Sequence, residues 1–285
     1  MLKDFVTLAN GVRLPVIGYG TWQTPDGDAA RVCVRSAIER GYTHIDTAAA
    51  YGNEVSVGQG IAESGIARDK LFVTTKHWVT ERGYEKTIKA CETSLKALGL
   101  DYVDLYLIHW PAVKKISADW ESINASTWKG FEKLLADGRV RAIGVSNFLP
   151  MHIDALNKTA NVAPMVNQIE FHPGYIQPEL VSYCKQNGIA LEAWSPLGSG
   201  AVLKDAKLAE IAAKYGKSVA QLCVRFALQN DIVPLPKSTN PERMEANKQV
   251  FDFEITQEDM KALKEMPILG YSGFYPEDAP ADAIA

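Results

Sequence analysis

Short apolar runs separated by longer amphipathic stretches repeat along this chain. Val16-Ile17-Gly18, Thr43 to Asp46, Leu71 to Lys76 and Val103 to Ile108 predict strands. Val140 to Val145, Met165 to Ile169, Ala190 to Ala193 and Ile232 to Leu235 complete a set of eight. Between them the apolar positions change to a helical period. In Tyr84 to Leu98, for example, Ile88, Cys91, Leu95 and Leu98 share one face, and Gly99 supplies the stop. The same reading predicts helices over Asp28 to Arg40, Asn53 to Ser64, Thr127 to Ala136, Pro150 to Asn157 and Pro178 to Gln186. Lys207 to Tyr215, Ala220 to Gln229 and Pro241 to Asn247 follow, and Thr256 is expected to cap a last helix with Asp259 in its first turn.

The predicted strands are apolar throughout rather than alternating, as in a parallel sheet covered on both faces. Eight of them alternating with helices predict an α/β fold, a single (β/α)8 TIM barrel. An open doubly wound sheet fits less well, because no G-x-G-x-x-G follows the first strand. No Pro/Ser linker divides the chain, so residues 1–285 read as one domain. Ahead of the repeat, Asn10-Gly11 sits between Phe5-Val6-Thr7-Leu8 and Val12-Arg13-Leu14-Pro15, which predicts an N-terminal β-hairpin plugging the barrel bottom. The stretch from Gly270 to Ala285 is rich in Gly, Pro and Asp and reads as a loop or frayed end.

Composition narrows the function classes. The chain is 47% hydrophobic and 22% charged, with a net charge of −4, which argues against a nucleic-acid or anionic-membrane surface. The N-terminus lacks a basic start followed by a long apolar run, so it does not read as a signal peptide. No stretch approaches the roughly 18 apolar residues of a membrane span. Cys33, Cys91, Cys184 and Cys223 are scattered in predicted helices, with no C-x-x-C, and read as buried free thiols in a reducing cytoplasm. Nothing in the sequence demands more than a monomer.

In such a barrel, chemistry sits where the strands end. The predicted ends carry Asp46 with Tyr51 just beyond it, Lys76, His109, Ser146-Asn147, Asn167-Gln168, Trp194-Ser195 and Lys237-Ser238. Each alone has an ordinary explanation: Asp46 as a loop cap, Lys76 as a surface residue, His109 as a satisfied core histidine. Adjacent ends of a closed barrel converge on one mouth, however, and an Asp, a Tyr, a Lys and a His there share a small volume. An ammonium favours a phenolate and lowers a tyrosine pKa from about 10. A carboxylate beside the lysine keeps it charged and fixes its position. A neutral histidine can donate an N–H to a substrate oxygen. The set suits protonation of a carbonyl oxygen. A metal centre is disfavoured: there is no H-E-x-x-H, and lysine and tyrosine at one mouth are poor zinc ligands.

The stretches GYTHIDTAAAYGNE, VTTKHW, VDLYLIHWP, IGVSNF, VNQIEFHP and LPKSTNPERMEAN, in this order and spacing, resemble the aldo-keto reductase superfamily along essentially the whole chain. The short loops and the ending GYSGFYPEDAP look most like the bacterial branch with 2,5-diketo-gluconate reductases. The resemblance implies a barrel that binds NADPH (NADP+) without a Rossmann fold. It implies Tyr51 as general acid, Lys76 as the group lowering its pKa, Asp46 as the partner of Lys76, and His109 as the group orienting the carbonyl. It further implies Trp194 stacked on the nicotinamide and Ser146, Asn147 and Gln168 on its carboxamide. Ser195, Leu197 and Ser199 would lie near the pyrophosphate, and Lys237, Ser238, Thr239 and Arg243 on the 2′-phosphate. Two cations with hydroxyls near a helix N-terminus make a good phosphate site in their own right. Asn247 is retained beside the adenine, whereas Ala246 stands where many relatives carry a glutamate.

Trp22, Trp78 and Trp110 follow the first, third and fourth strand ends and are expected to wall the substrate pocket, with Phe148 beside them and His77 adding polarity. The short C-terminus predicts a broad pocket for aldehydes, α-dicarbonyls or keto-sugars. Two other readings stay open: a non-catalytic, NADPH-binding, redox-sensing barrel, and a metal-dependent hydrolase.

Overall fold

The structure, a computed structural model, describes residues 4–278. Two strands, β1 (Phe5–Thr7) and β2 (Arg13–Pro15), form an antiparallel hairpin. Eight further strands form one parallel sheet in sequence order: β3 (Tyr19–Gly20), β4 (His44–Asp46), β5 (Phe72–His77), β6 (Val103–Ile108), β7 (Val140–Ser146), β8 (Val166–Glu170), β9 (Ala190–Trp194) and β10 (Ile232–Pro234). The sheet closes on itself, since the Gly18 and Gly20 amides donate to the carbonyls of Pro234 and Pro236 at 3.0 and 3.2 Å. Glycine is needed at this seam. A Cβ on Gly18 would lie 2.5 Å from the Leu235 side chain and 2.6 Å from the His44 ring. The predicted (β/α)8 barrel is therefore what the chain forms.

Helices α1 (Asp28–Glu39), α2 (Glu54–Glu63), α3 (Tyr84–Leu98), α4 (Trp120–Ala136) and α5 (Pro150–Asn157) surround the first strands of the barrel. Helices α6 (Pro178–Gln186), α7 (Ala206–Lys214), α8 (Val219–Gln229), α9 (Pro241–Lys248) and α10 (Gln257–Lys264) complete the layer. Local chemistry explains several of their ends. Gly99 takes a left-handed turn at φ 66 after α3. Ser218 and Gln221 form a reciprocal capping box at α8, and the Thr256 hydroxyl accepts from the Asp259 amide at α10. Every residue of β5, β6 and β8 is buried, as the unbroken apolar pattern requires.

Three expectations need correction. The first barrel strand pairs at Tyr19–Gly20 rather than Val16 to Gly18, because backbone pairing with β4 starts only at Tyr19. Helix α4 begins at Trp120 rather than Thr127. Its first turns are polar in sequence, but Trp120 is buried and the Asn124 amide bonds both backbone groups of Ala112, a contact no local pattern announces. The tail is a loop as far as it is described, yet it is pinned. The amide and hydroxyl of Ser272 donate to the Glu170 carboxylate at 2.9 and 2.7 Å, and Tyr271 stacks on Tyr175 at 4.4 Å. Residues 279–285 of the predicted tail lie outside the described residues. The hairpin sits at the barrel bottom: Leu8 and Leu14 are buried in the core, and Asn10 bonds the carbonyl of Arg141 at the start of β7.

Candidate active site

Alternation along a strand sends successive side chains to opposite faces of the sheet. On β5 this turns Thr74 and Lys76 into the barrel and Thr75 and His77 out towards the helices. Lys76 is fully buried, and its ammonium donates to Asp46 Oδ1 at 2.7 Å, to the Thr47 carbonyl at 2.9 Å and to the Tyr51 hydroxyl at 3.3 Å. Tyr51 ends a single helical turn, Ala49–Tyr51, that follows β4. Its ring meets the His109 ring edge-on at 5.6 Å, and Trp78 meets His109 at 5.2 Å. The four strand-end residues therefore share one small volume.

Burial would lower the Lys76 ammonium, but Asp46 and Tyr51 outweigh it and hold the group above its ordinary value. Tyr51 departs from the sequence expectation. Burial pushes its phenol above the usual value, with Asp46 adding to that push, and Lys76 opposes without reversing it. The phenol thus carries its proton at neutral pH. Burial, then the nearby Lys76, hold His109 well below the usual histidine value, so its ring is neutral.

The loop bearing Tyr51 is anchored by Asn53, which the sequence reading passed over. Its side chain accepts from the Thr47 hydroxyl at 3.1 Å and donates to the carbonyls of Thr21 and Thr24 at 3.1 and 3.0 Å. Glu54, the first residue of α2, is buried and accepts from the outward-turned Thr75 hydroxyl at 2.6 Å, a bond beyond any helix-dipole role. Behind Asp46, the Gln168 amide nitrogen lies 2.9 Å from Asp46 Oδ2 and 2.9 Å from Glu192 Oε2. Glu192 also escaped the sequence reading, because an acid inside an apolar strand carries no local signal of its partners.

A cavity of about 670 Å³ opens at this end of the barrel. Trp22, Asp46, Tyr51, His109, Trp110 and Phe274 line one part of it, and Asn147, Gln168 and Trp194 its middle. Ser195, Leu197, Ser199, Lys237, Ser238, Arg243 and Asn247 line the remainder. Asn147, in a left-handed conformation at φ 62, donates to the His109 carbonyl and the Ser146 hydroxyl and accepts from the Trp194 indole at 2.8 Å. Trp194 is thereby held against the cavity, with Trp22 edge-on to it at 6.3 Å. Ser195 and Ser199 also adopt positive φ, and their hydroxyls lie 2.8 Å apart. Among the described residues neither Lys237 nor Arg243 makes an ion pair, so two cations face this cavity uncompensated.

Several expected site residues lie elsewhere. His77 faces outward on β5, packs edge-on to Phe131 at 5.9 Å and bonds the Glu81 carbonyl, so it adds no polarity to the pocket. Phe148 is fully buried against His152. Trp78 touches His109 but does not line the cavity, and Ser146 lies behind it, bonded to the lining residues Asn147 and Gln168. Thr239 is exposed beside the cavity. Ser218 and Gln221 line it unforeseen, although their capping box is legible as S-x-x-Q. Among the described residues no group of three metal-ligating side chains is arranged to hold an ion. The four cysteines are free and buried.

The sequence profile of the aldo/keto reductase family matches residues 16–268. The chain belongs to the aldo/keto reductase family. It is 51% identical over 259 residues to the glyoxal reductase of Bacillus subtilis, covering 91% of each chain. It is also 51% identical over 264 residues to the 9,11-endoperoxide prostaglandin H2 reductase of Trypanosoma cruzi, covering 92% of this chain and 90% of the relative. An aldo-keto reductase of Bombyx mori solved in complex with NADP superposes with a TM-score of 0.84 at 37% identity, covering 93% of this chain and 92% of that one. As an aldo/keto reductase the protein is an oxidoreductase, and its relatives support carbonyl reduction rather than a hydrolytic reaction. No helix among the described residues is long and apolar enough to cross a membrane. The narrower resemblance to 2,5-diketo-gluconate reductases goes beyond what these relatives support.

Proposed function

We propose that this aldo/keto reductase converts small aldehydes, α-dicarbonyls and keto-sugars to alcohols with NADPH, using Tyr51 as general acid. The arrangement around Lys76 carries the reading. An ammonium has three donors and no acceptor. Asp46, Thr47 and Tyr51 take all three, so the Tyr51 oxygen receives a proton contact and its own O–H is left for the cavity. A carbonyl oxygen held beside Tyr51 and the neutral His109 ring would accept that proton as negative charge develops on it. Lys76 then stabilises the phenolate left behind, and Asp46 keeps the barrel interior balanced in charge. A proton donor with this support contributes about 10²–10⁴-fold to rate.

The residues lining the cavity support a dinucleotide with an extra phosphate as its ligand. Lys237 and Arg243 are uncompensated cations near the N-terminus of α9, where Asn240 caps the helix. They would hold the 2′-phosphate with Ser238 and Thr239. Ser195, Leu197 and Ser199 would meet the pyrophosphate, Asn247 the adenine side, and Trp194 the nicotinamide, with Asn147 and Gln168 on its carboxamide. When bound, NADPH supplies the hydride for the carbonyl carbon. Trp22 and Trp110 would wall the substrate, and Phe274 from the pinned tail narrows the opening that the sequence led us to expect.

NADPH oxidation with a panel of aldehydes, diketones and keto-sugars, in the presence of EDTA, tests the reading. Tyr51→Phe should nearly abolish reduction and leave NADPH binding close to normal. Full activity in that variant would refute the assignment of the acid. Tight NADPH binding without turnover of any carbonyl by the unaltered protein would replace the enzyme by a nucleotide-sensing barrel, and inhibition by EDTA would point to metal chemistry.

A further inference from the structure

A second acid lies inside the barrel beneath the proton-donating group. Glu192 is on β9, directly opposite Gln168 in the β8–β9 register, and is fully buried. Gln168 presents one amide nitrogen to two carboxyl groups, Asp46 at 2.9 Å and Glu192 at 2.9 Å. Among the described residues the second oxygen of Glu192 has no hydrogen-bond partner, and its nearest basic group is His44 Nε2 at 3.8 Å. That contact is not an ion pair. Burial and Lys76 hold His44 down at about 3, so the ring is neutral, and its Nε2 is engaged by the Thr74 hydroxyl at 3.0 Å. The charged and titratable groups facing Glu192 are thus Asp46, Lys76 and His44. Within β10, the neighbour on its other side, the residues are Ile232, Val233 and Pro234, none titratable.

Charge balance decides the state of this group. Lys76 supplies the one cation of the cluster, and Asp46 sits on it at 2.7 Å. An ionised Glu192 would be a second buried anion with no cation of its own, its only strong donor already shared with the first. A buried charge without a partner is costly, and the group neutralises instead. We propose that Glu192 is a positioning residue of this site, held as a neutral carboxylic acid whose carbonyl oxygen accepts from Gln168 and so fixes the amide on Asp46, behind the Lys76–Tyr51 pair. The inference rests on the Tyr51 assignment for its effect on rate, but not for the protonation state. Burial and the Asp46 charge, which both push Glu192 well above the usual carboxylate range, agree with it.

The consequence is a built-in dependence on pH. When Glu192 loses its proton above neutrality, a second negative charge appears behind Asp46, makes Tyr51 a weaker acid, and slows carbonyl reduction. Glu192→Gln keeps a neutral acceptor for Gln168 and has no proton to lose. Glu192→Met keeps the bulk and removes the acceptor.

Two readouts test this on the full-length protein. In infrared difference spectra taken without cofactor from neutral to alkaline pH, the unaltered protein should show a protonated carboxyl band that titrates away, and Glu192→Gln should lack it. In kcat/KM profiles for a carbonyl substrate, Glu192→Gln should lose the alkaline limb near the titration of Glu192. Glu192→Met should lower kcat by about tenfold, as expected for a lost buried hydrogen bond, with the Gln variant restoring much of it. A band that persists in Glu192→Gln, a pH profile that superimposes on that of the unaltered protein, or a Gln variant as impaired as the Met variant would each overturn the proposal. A titrating band in a protein that reduces no carbonyl would sink the proposed reductase function and leave the protonation of Glu192 standing.

Discussion

Replacing Lys76 by Met separates the folding role of the ion pair from its chemical role. The substitution keeps an unbranched chain and deletes the only cation among the described residues in contact with Asp46. The carboxylate, almost fully buried, would retain one donor, the Gln168 amide at 2.9 Å, and the Thr47 carbonyl would lose the ammonium. Removing one member of a buried pair costs about 3–5 kcal/mol, because the remaining charge is left uncompensated. That is a large share of the roughly 5–15 kcal/mol that holds a folded protein together. Lys76→Met should therefore lower the urea midpoint markedly, read by tryptophan fluorescence. Asp46→Asn should do the same for the opposite reason, stranding the ammonium. The double variant buries no charge at this point and should recover most of the loss, giving a coupling energy of about 2 kcal/mol or more in the double-mutant cycle. Activity should not recover with it. With no ammonium beside Tyr51, nothing opposes the upward push of burial on the phenol, and reduction should stay down by about 10²–10⁴-fold. A Lys76→Met protein as stable as the parent, or a double variant that is no more stable than Lys76→Met, would refute the buried-pair reasoning. A double variant with restored turnover would refute the role of Lys76 in the chemistry.

Three further outcomes follow from the same geometry. Lys237→Ala should weaken NADPH binding by about 10–100-fold, the scale of one lost charge-assisted hydrogen bond, while leaving NADH nearly unaffected; equal effects in a fluorescence titration would remove the 2′-phosphate role. Asn53→Ala strands the Thr47 hydroxyl and the Thr24 carbonyl and leaves the Thr21 carbonyl with only the Thr24 amide, so it should cost about 3 kcal/mol in urea unfolding and lower kcat by loosening Tyr51, and an unchanged kcat would show that the loop holds without it. Burial holds His77 and His152 down at about 4, against an ordinary 6.5, so the unfolded chain takes up their protons first. Stability should be fully present above about pH 6.5 and fall as pH drops towards 4, and His77→Phe should flatten the fall; a slope unchanged in that variant would exclude His77 as its source.

The apolar runs, their helical interludes and the glycine stops were enough to determine the eight-fold alternation, because a strand buried on both faces and a helix buried on one leave different periods in the chain. The same pattern put Asp46, Lys76 and His109 at strand ends, and closure of a barrel forces such ends together. Strand alternation, applied strictly, would also have turned His77 away from the pocket, since Lys76 points in. What the sequence did not carry is contact between distant segments. Asn53 holding the Tyr51 loop, Ser272 pinning the tail on Glu170, and Gln168 bridging Asp46 and Glu192 each join residues far apart in the chain. Their energies come from excluding water around polar groups that only the closed barrel brings within hydrogen-bond distance. Tyr51 shows the division most clearly: its neighbours could be named from the sequence, but whether Lys76 or burial governs its proton depends on how completely the barrel removes water from around it.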